Sequence, residues 1–230
     1  MELILLFFGA FVSGMLAWGI NIKKTMMKLI LAFSGAFMLG LCFFHVLPES
    51  YEAIGHTAGI WVLIGFMVQI MLEVLSKGME HGHAHALPGK QLPFALLMGL
   101  GIHSLLEGLP FGGEHAHEHH SLLAGIIIHN VPVAFILGTV MRGAGYSLLR
   151  GALGMAGFAA MAPLGGLISY FLEGRVIGTE AFQGTVQAII VGIFFHIATT
   201  ILFETDKGHA FNITKFTSII IGFIIAYLAV

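Results

Sequence analysis

Apolar residues run along this chain in blocks of about twenty, separated by short polar intervals, with neither the alternation of a half-buried strand nor the narrow stripe of a surface helix. A bilayer core of roughly 30 Å takes about 20 apolar residues per helix. Blocks near 3–22, 29–47, 57–76, 93–113, 121–141, 147–172, 184–204 and 213–230 meet that length. The pattern predicts an all-α integral membrane protein, one transmembrane domain over residues 1–230 with eight helices. No basic segment precedes the first block, so it reads as a retained helix and not as a cleaved signal peptide.

Composition sharpens this picture. Charged residues are only 10% of the chain and hydrophobic ones 57%, where a soluble domain carries about 25% charged residues. A net charge of −2 argues against a nucleic-acid partner, which needs a clustered basic excess. The single cysteine, Cys42, excludes an internal disulfide and a CxxC site, and no GxxxxGK[ST] stretch is present to bind ATP.

The intervals are short enough for Lys and Arg to report orientation. Lys23, Lys24, Lys28, Lys77, Lys90, Arg142, Arg150, Lys207 and Lys215 fall on one side and Arg175 alone on the other. The first side is therefore expected to be cytoplasmic and both termini outside. Leu41-Cys42-Phe43-Phe44-His45 in the second block echoes Gly192-Ile193-Phe194-Phe195-His196 in the seventh, which this topology runs in the opposite direction. Inverted repeats of that kind hold substrate near the midplane in transporters.

Coordinating or ionisable residues within the spans are Glu73, His103, Glu107, His129 and His196, with His45 and Glu204 at helix ends. Such groups face a cavity or a partner by default. Glu73 lies within a turn of its helix end, where reaching the interface suffices. His103, ten residues beyond Pro93, is placed about 15 Å deep. Glu107 follows one turn later on the same face. His129, descending from Ser121, falls at a depth between the two, about 12 Å below the outer interface. Pro110 and Pro132 each lack the N–H that would bond a carbonyl four residues earlier, so both helices are expected to be broken beside these side chains.

Two imidazoles and one carboxylate suit Zn²⁺, with Fe²⁺, Mn²⁺, Co²⁺, Ni²⁺ and Cd²⁺ as competitors, whereas Ca²⁺ and Mg²⁺ prefer oxygen. Ser104 and Asn130, each beside a histidine, can complete the shell or orient it. The alternative is a hydrogen-bond network that only locks the bundle. His81, His83 and His85 in one interval, and His115, His117, His119 and His120 with Glu114 and Glu118 in another, read as metal-capturing tracts on either side.

At these residues the chain resembles the ZIP family of divalent-metal transporters. His103-Ser104-Leu105-Leu106-Glu107-Gly108 matches its H-[NS]-x-x-E-G motif in helix four, and His129-Asn130-Val131-Pro132 opens its helix-five motif. Phe44-His45-Val46-Leu47-Pro48-Glu49 is similar to its helix-two ending, and Pro163-Leu164-Gly165-Gly166 to part of its helix-six element. The resemblance extends over essentially the whole chain. It implies eight helices in a 3+2+3 arrangement with an inverted repeat, both termini outside, and a histidine-rich loop between helices three and four. It further implies zinc uptake through the cell membrane into the cytoplasm and a lipid-embedded homodimer; His45, His196 and Glu204, from their own places in the spans, are candidates for the metal pathway. The chain departs from the family at Val133 and Ala162, where carboxylates usually bridge or complete a two-metal centre. The expectation is a reduced, single-metal site of His103, Glu107 and His129, as in a bacterial-type member.

Other classes remain. A metal-binding or sensing protein that transports nothing would carry the same ligands. An intramembrane zinc hydrolase is disfavoured: HExxH is absent, and the only aspartate, Asp206, lies outside the spans. Ser104 adjoins His103 on one helix and points about 100° away from it, which argues against a Ser–His nucleophile.

Overall fold

The computed structural model describes residues 1–78, 94–112, 120–173, 175, 179–203 and 212–229. Its regular elements are all helical among the described residues. Among the described residues, six helices are long and apolar enough to cross a bilayer: α2 (Lys24–Ile54), α3 (Thr57–Ser76), α4 (Phe94–Phe111), α5 (His120–Gly143), α6 (Leu148–Leu172) and α7 (Thr179–Phe203). They are flanked by two shorter apolar helices, α1 (Glu2–Leu16) and α8 (Ile213–Leu228). α3 turns Ile60, Leu63, Met67, Met71 and Val74 outward, an apolar stripe that water would not tolerate and lipid would.

Local chemistry sets the ends. Ser147 and Asn212 cap α6 and α8, accepting from the backbone N–H of Arg150 and Lys215. α3 stops at Lys77, whose φ of 55° is left-handed, followed by Gly78 at 68°. α2 runs seven residues past its expected end at 47, because a π-helical turn at Cys42–Val46 widens the helix just before Pro48 and makes room for the ring. α6 is interrupted at Ala160, between Leu148–Ala159 and Met161–Leu172. Pro163, four residues beyond Ala159, has no N–H to offer that carbonyl. The expected break in α5 is not seen: Pro132 sits inside a continuous helix, and the hydroxyl of Ser13 on α1 donates to the carbonyl of Val131 at 2.6 Å. At the end of α4, Pro110 lies in a 3₁₀ turn, Leu109–Phe111, which tightens the last turn without unwinding it.

The helices pack in two groups. α1 lies on α5 and α6, and α4 on α6; α3 lies on α7, and α2 on both α7 and α8. Contacts of α3 with α4 and of α2 with α5 join the groups. Named contacts give the directions. Leu3 and Trp18 of α1 meet Gly166 and Gly151 of α6, so these two are antiparallel. Gly101 and Gly112 of α4 meet Met161 and Gly166, so α4 and α6 run together. Gly35 and Ala53 of α2 meet Ile201 and Gly184, so α2 opposes α7. Ser121 at the start of α5 donates to the carbonyl of Ala229 just beyond α8. The directions alternate along the chain, and Glu2 and Leu228 lie at the same end of the bundle.

Candidate metal centre

α4 presents His103 and Glu107 one turn apart on one face, and the Nε2 of His103 stands 3.1 Å from Oε1 of Glu107. From α5, the Nε2 of His129 reaches to 4.0 Å from the same oxygen. The two imidazole rings meet edge to face with centroids 5.9 Å apart. One ligand atom from each residue lies within 4.8 Å of the other two. Two ligands on one tetrahedral Zn²⁺ sit about 3.3 Å apart, given bonds of about 2.0–2.1 Å. The widest separation thus exceeds that distance by about 1.5 Å, so the ligand atoms must draw together by that much to share one ion.

All three side chains are buried, with exposures of 0–1%. An isolated carboxylate in such a place is costly unless a cation accompanies it. Neither ring nitrogen of His129 has a hydrogen-bond partner, and the Oδ1 of Asn130 has none either. Buried polar atoms without partners call for an explanation, and a bound cation supplies one. Asn130 stands beside His129 on α5 and is buried, as is Ser104 next to His103 on α4. Phe194 of α7 closes one side, its ring centroid 6.4 Å from that of His129.

Close helix approach makes the site possible. At Gly108, the residue after Glu107, a methyl group would collide with the carbonyl of Ala162, and at Gly165 with that of Leu105. α4 and α6 are therefore in backbone contact beside the centre. Val133, one turn beyond His129, is fully buried, and Ala162 is 3% exposed. Neither offers a donor atom.

The remaining candidates lie elsewhere. The Nδ1 of His45 is 3.4 Å from Oε1 of Glu49, whose Oε2 accepts from Nε2 of Gln187 at 3.2 Å. His196 pairs through Nε2 with Oε2 of Glu73 at 2.5 Å, with the ring of Phe66 edge-on to the imidazole. That pair gives Glu73 a partner besides the interface that its place near the helix end lets it reach: α3 and α7 lie close, with Gly65 on Ile189 and Gly192 on Val62, and the carboxylate meets an imidazole. His120 is exposed at the start of α5. His81, His83, His85, His115, His117, His119 and Glu204 lie outside the described residues.

Sequence reasoning that counts charges and histidines passes over three buried amides, Gln69, Gln183 and Gln187. A glutamine inside a long apolar run, as in Val68-Gln69-Ile70, is the signal that would have found them.

Residues 76–229, from the end of α3 through α8, match the family model for the ZIP zinc transporter. A search of curated proteins finds no match.

Proposed function

The chain belongs to the ZIP zinc transporter family, and from that premise we propose that it carries Zn²⁺ through the cell membrane into the cytoplasm by way of His103, Glu107 and His129. Membership makes it a multi-pass membrane protein whose substrates are divalent metal ions. One observation carries the finer reading: three coordinating side chains on two apolar helices converge within 4.8 Å in the interior. Two imidazoles and a carboxylate favour a borderline ion over Mg²⁺ or Ca²⁺. Asn130, Ser104 or water fills the remaining positions, and the absence of carboxylates at Val133 and Ala162 leaves room for one ion only.

Eight crossings in a 3+2+3 arrangement make up one transporter domain. The cytoplasmic side is that of Lys23, Lys77 and Arg150, which supports both termini facing outward, and two copies assemble as a homodimer. His45, His196 and Glu204, with the histidine tracts, line the route to and from the centre. Sites along it are weak enough to release the ion, as conduction demands.

The test is a flux panel in vesicles containing the purified protein, with Zn²⁺, Cd²⁺, Fe²⁺, Mn²⁺ and Mg²⁺ supplied outside. Zn²⁺ and Cd²⁺ uptake should exceed that of Mg²⁺. Equal rates for all five would remove the imidazole centre as the selecting element, and tight Zn²⁺ binding without flux would mark a sensor.

A further inference from the structure

At the end of the bundle that holds Glu2, four helix ends meet in a second polar group. Gln183, near the start of α7, donates from Nε2 to the carbonyl of Gly112 at the end of α4, 3.3 Å away, and to Oε1 of Glu173 just beyond α6, 3.1 Å away. Ser169 of α6 donates to the same Gly112 oxygen at 3.2 Å. One turn along α7, Gln187 holds Glu49 of α2. Gln183 is 6% exposed, and its own Oε1 has no hydrogen-bond partner. A buried amide that satisfies its nitrogen twice and its oxygen never is an unbalanced arrangement.

We infer that Gly112, Glu173 and Gln183 form a second cation station on the outer approach to the imidazole centre. The amide NH₂ lies between two oxygens, held there by the attraction that would hold a metal ion. Turning the amide about its last torsion exchanges Nε2 for Oε1 and gathers three oxygens around one point, at little torsional cost because such sp³–sp² rotations are broad and two-fold. The set then carries one negative charge and no nitrogen.

Oxygen ligands suit hard and borderline divalent ions alike, so the station takes Mn²⁺ about as readily as Zn²⁺ and captures without selecting. Gly112 follows Glu107 by five residues, about 8 Å along the axis of α4. An ion released here has one short step to the selective centre. The station also spans the two packing groups, since Gln183 is on α7 while Gly112 and Glu173 belong to α4 and α6.

Its role in uptake rests on the transport reading above; its binding of a cation does not. The decisive experiment is Mn²⁺-soaked diffraction of the protein with His103→Ala, Glu107→Gln and His129→Ala, which silences the centre. An anomalous peak bounded by Gly112, Glu173 and Gln183 is expected, and it should vanish when Glu173→Gln is added. No peak there at a Mn²⁺ concentration that fills the centre of the unmodified protein overturns the station and leaves the centre standing. A peak here with none at the centre of the unmodified protein does the reverse. In vesicles, Glu173→Gln should raise KM for Zn²⁺ and Mn²⁺ together by about tenfold, the scale of losing one metal contact. Gln183→Glu, which adds a carboxylate, should lower both. A folded Glu173→Gln protein with unchanged KM for both ions also refutes the assignment.

Discussion

Glu107 is the one anionic group among the three proposed ligands, and it is fully buried. Glu107→Gln keeps its size and removes the charge that offsets the ion. Losing an outer-shell partner costs about 10–100-fold in metal affinity or activity, so losing this ligand should lower Zn²⁺ uptake by more than about 100-fold. Full flux in a folded, inserted variant would discard the site. His103 and Glu107 were legible in the sequence because a four-residue spacing fixes a shared helix face, and His129 because depth can be counted from helix ends. Partners across helices were not legible. Nothing in the sequence pairs Glu73 with His196, or Gln183 with Gly112, before α7 is known to lie on α3 and α4. Stoichiometry is a residue-scale matter too. Two divalent ions about 4 Å apart repel by about 16 kcal/mol at an effective dielectric of 20, before any bridging group helps. Val133 and Ala162 provide no such group. With the loop histidines replaced by serine and the station silenced by Glu173→Gln, isothermal titration should count one Zn²⁺ per chain, and two after Val133→Glu with Ala162→Glu. Two ions at the centre of the protein before those acids are added would refute the single-site reading.

Helix identity followed from apolar blocks, but helix ends and interruptions followed from proline, which has more than one outcome. Pro48 looks like a stop and instead continues α2 after a π turn; Pro132 looks like a break and lies in continuous helix; Pro163 does interrupt α6 at Ala160. What separates these cases is the surroundings that other helices supply, such as Ser13 of α1, which bonds the Val131 carbonyl beside Pro132. Sequence alone does not say which helix stands there. The seam between α4 and α6 is the element-scale feature that holds the centre. Gly108→Ala places a methyl against the carbonyl of Ala162, a backbone atom that cannot swing aside. Overpacking of this kind costs about 1–3 kcal/mol. The thermal midpoint in detergent should therefore drop, and Zn²⁺ affinity with it, because Glu107 is the adjacent residue. Gly157→Ala on α6, where a methyl would meet nothing within 4 Å, is the control and should hold or slightly raise the midpoint. Equal behaviour of the two variants would mean that the seam is not tight.

At the scale of the whole molecule, the centre lies where the two packing groups face one another. α4 and α5 supply its ligands from one group, and α7 supplies the opposing wall with Phe194 from the other. Glycine-on-backbone seams hold α4 to α6 and α3 to α7 within the groups, and across the divide Gly99 of α4 meets the α3 backbone at Leu72 and Ser76 while Gly125 of α5 meets the pliable side chains of Leu41 and Met38. Alternating helix directions put Lys23, Lys77 and Arg150 at one end of the bundle and the turn between α2 and α3 at the other. The positive-inside bias is the argument for the proposed cytoplasmic face, because short basic loops are retained on that side. A cysteine at His56, in that turn, or at Ala116 should react with a membrane-impermeant reagent applied from outside. A cysteine at Gly82 or Gly208 should react only after the cytoplasmic face is opened. The native thiol, Cys42, is buried and should contribute little background. Labelling of all four from one face would overturn the topology, whereas the reversed pattern, His56 and Ala116 reached only from the cytoplasmic face, would overturn the orientation and leave the oxygen-lined station on the release side of the imidazole centre.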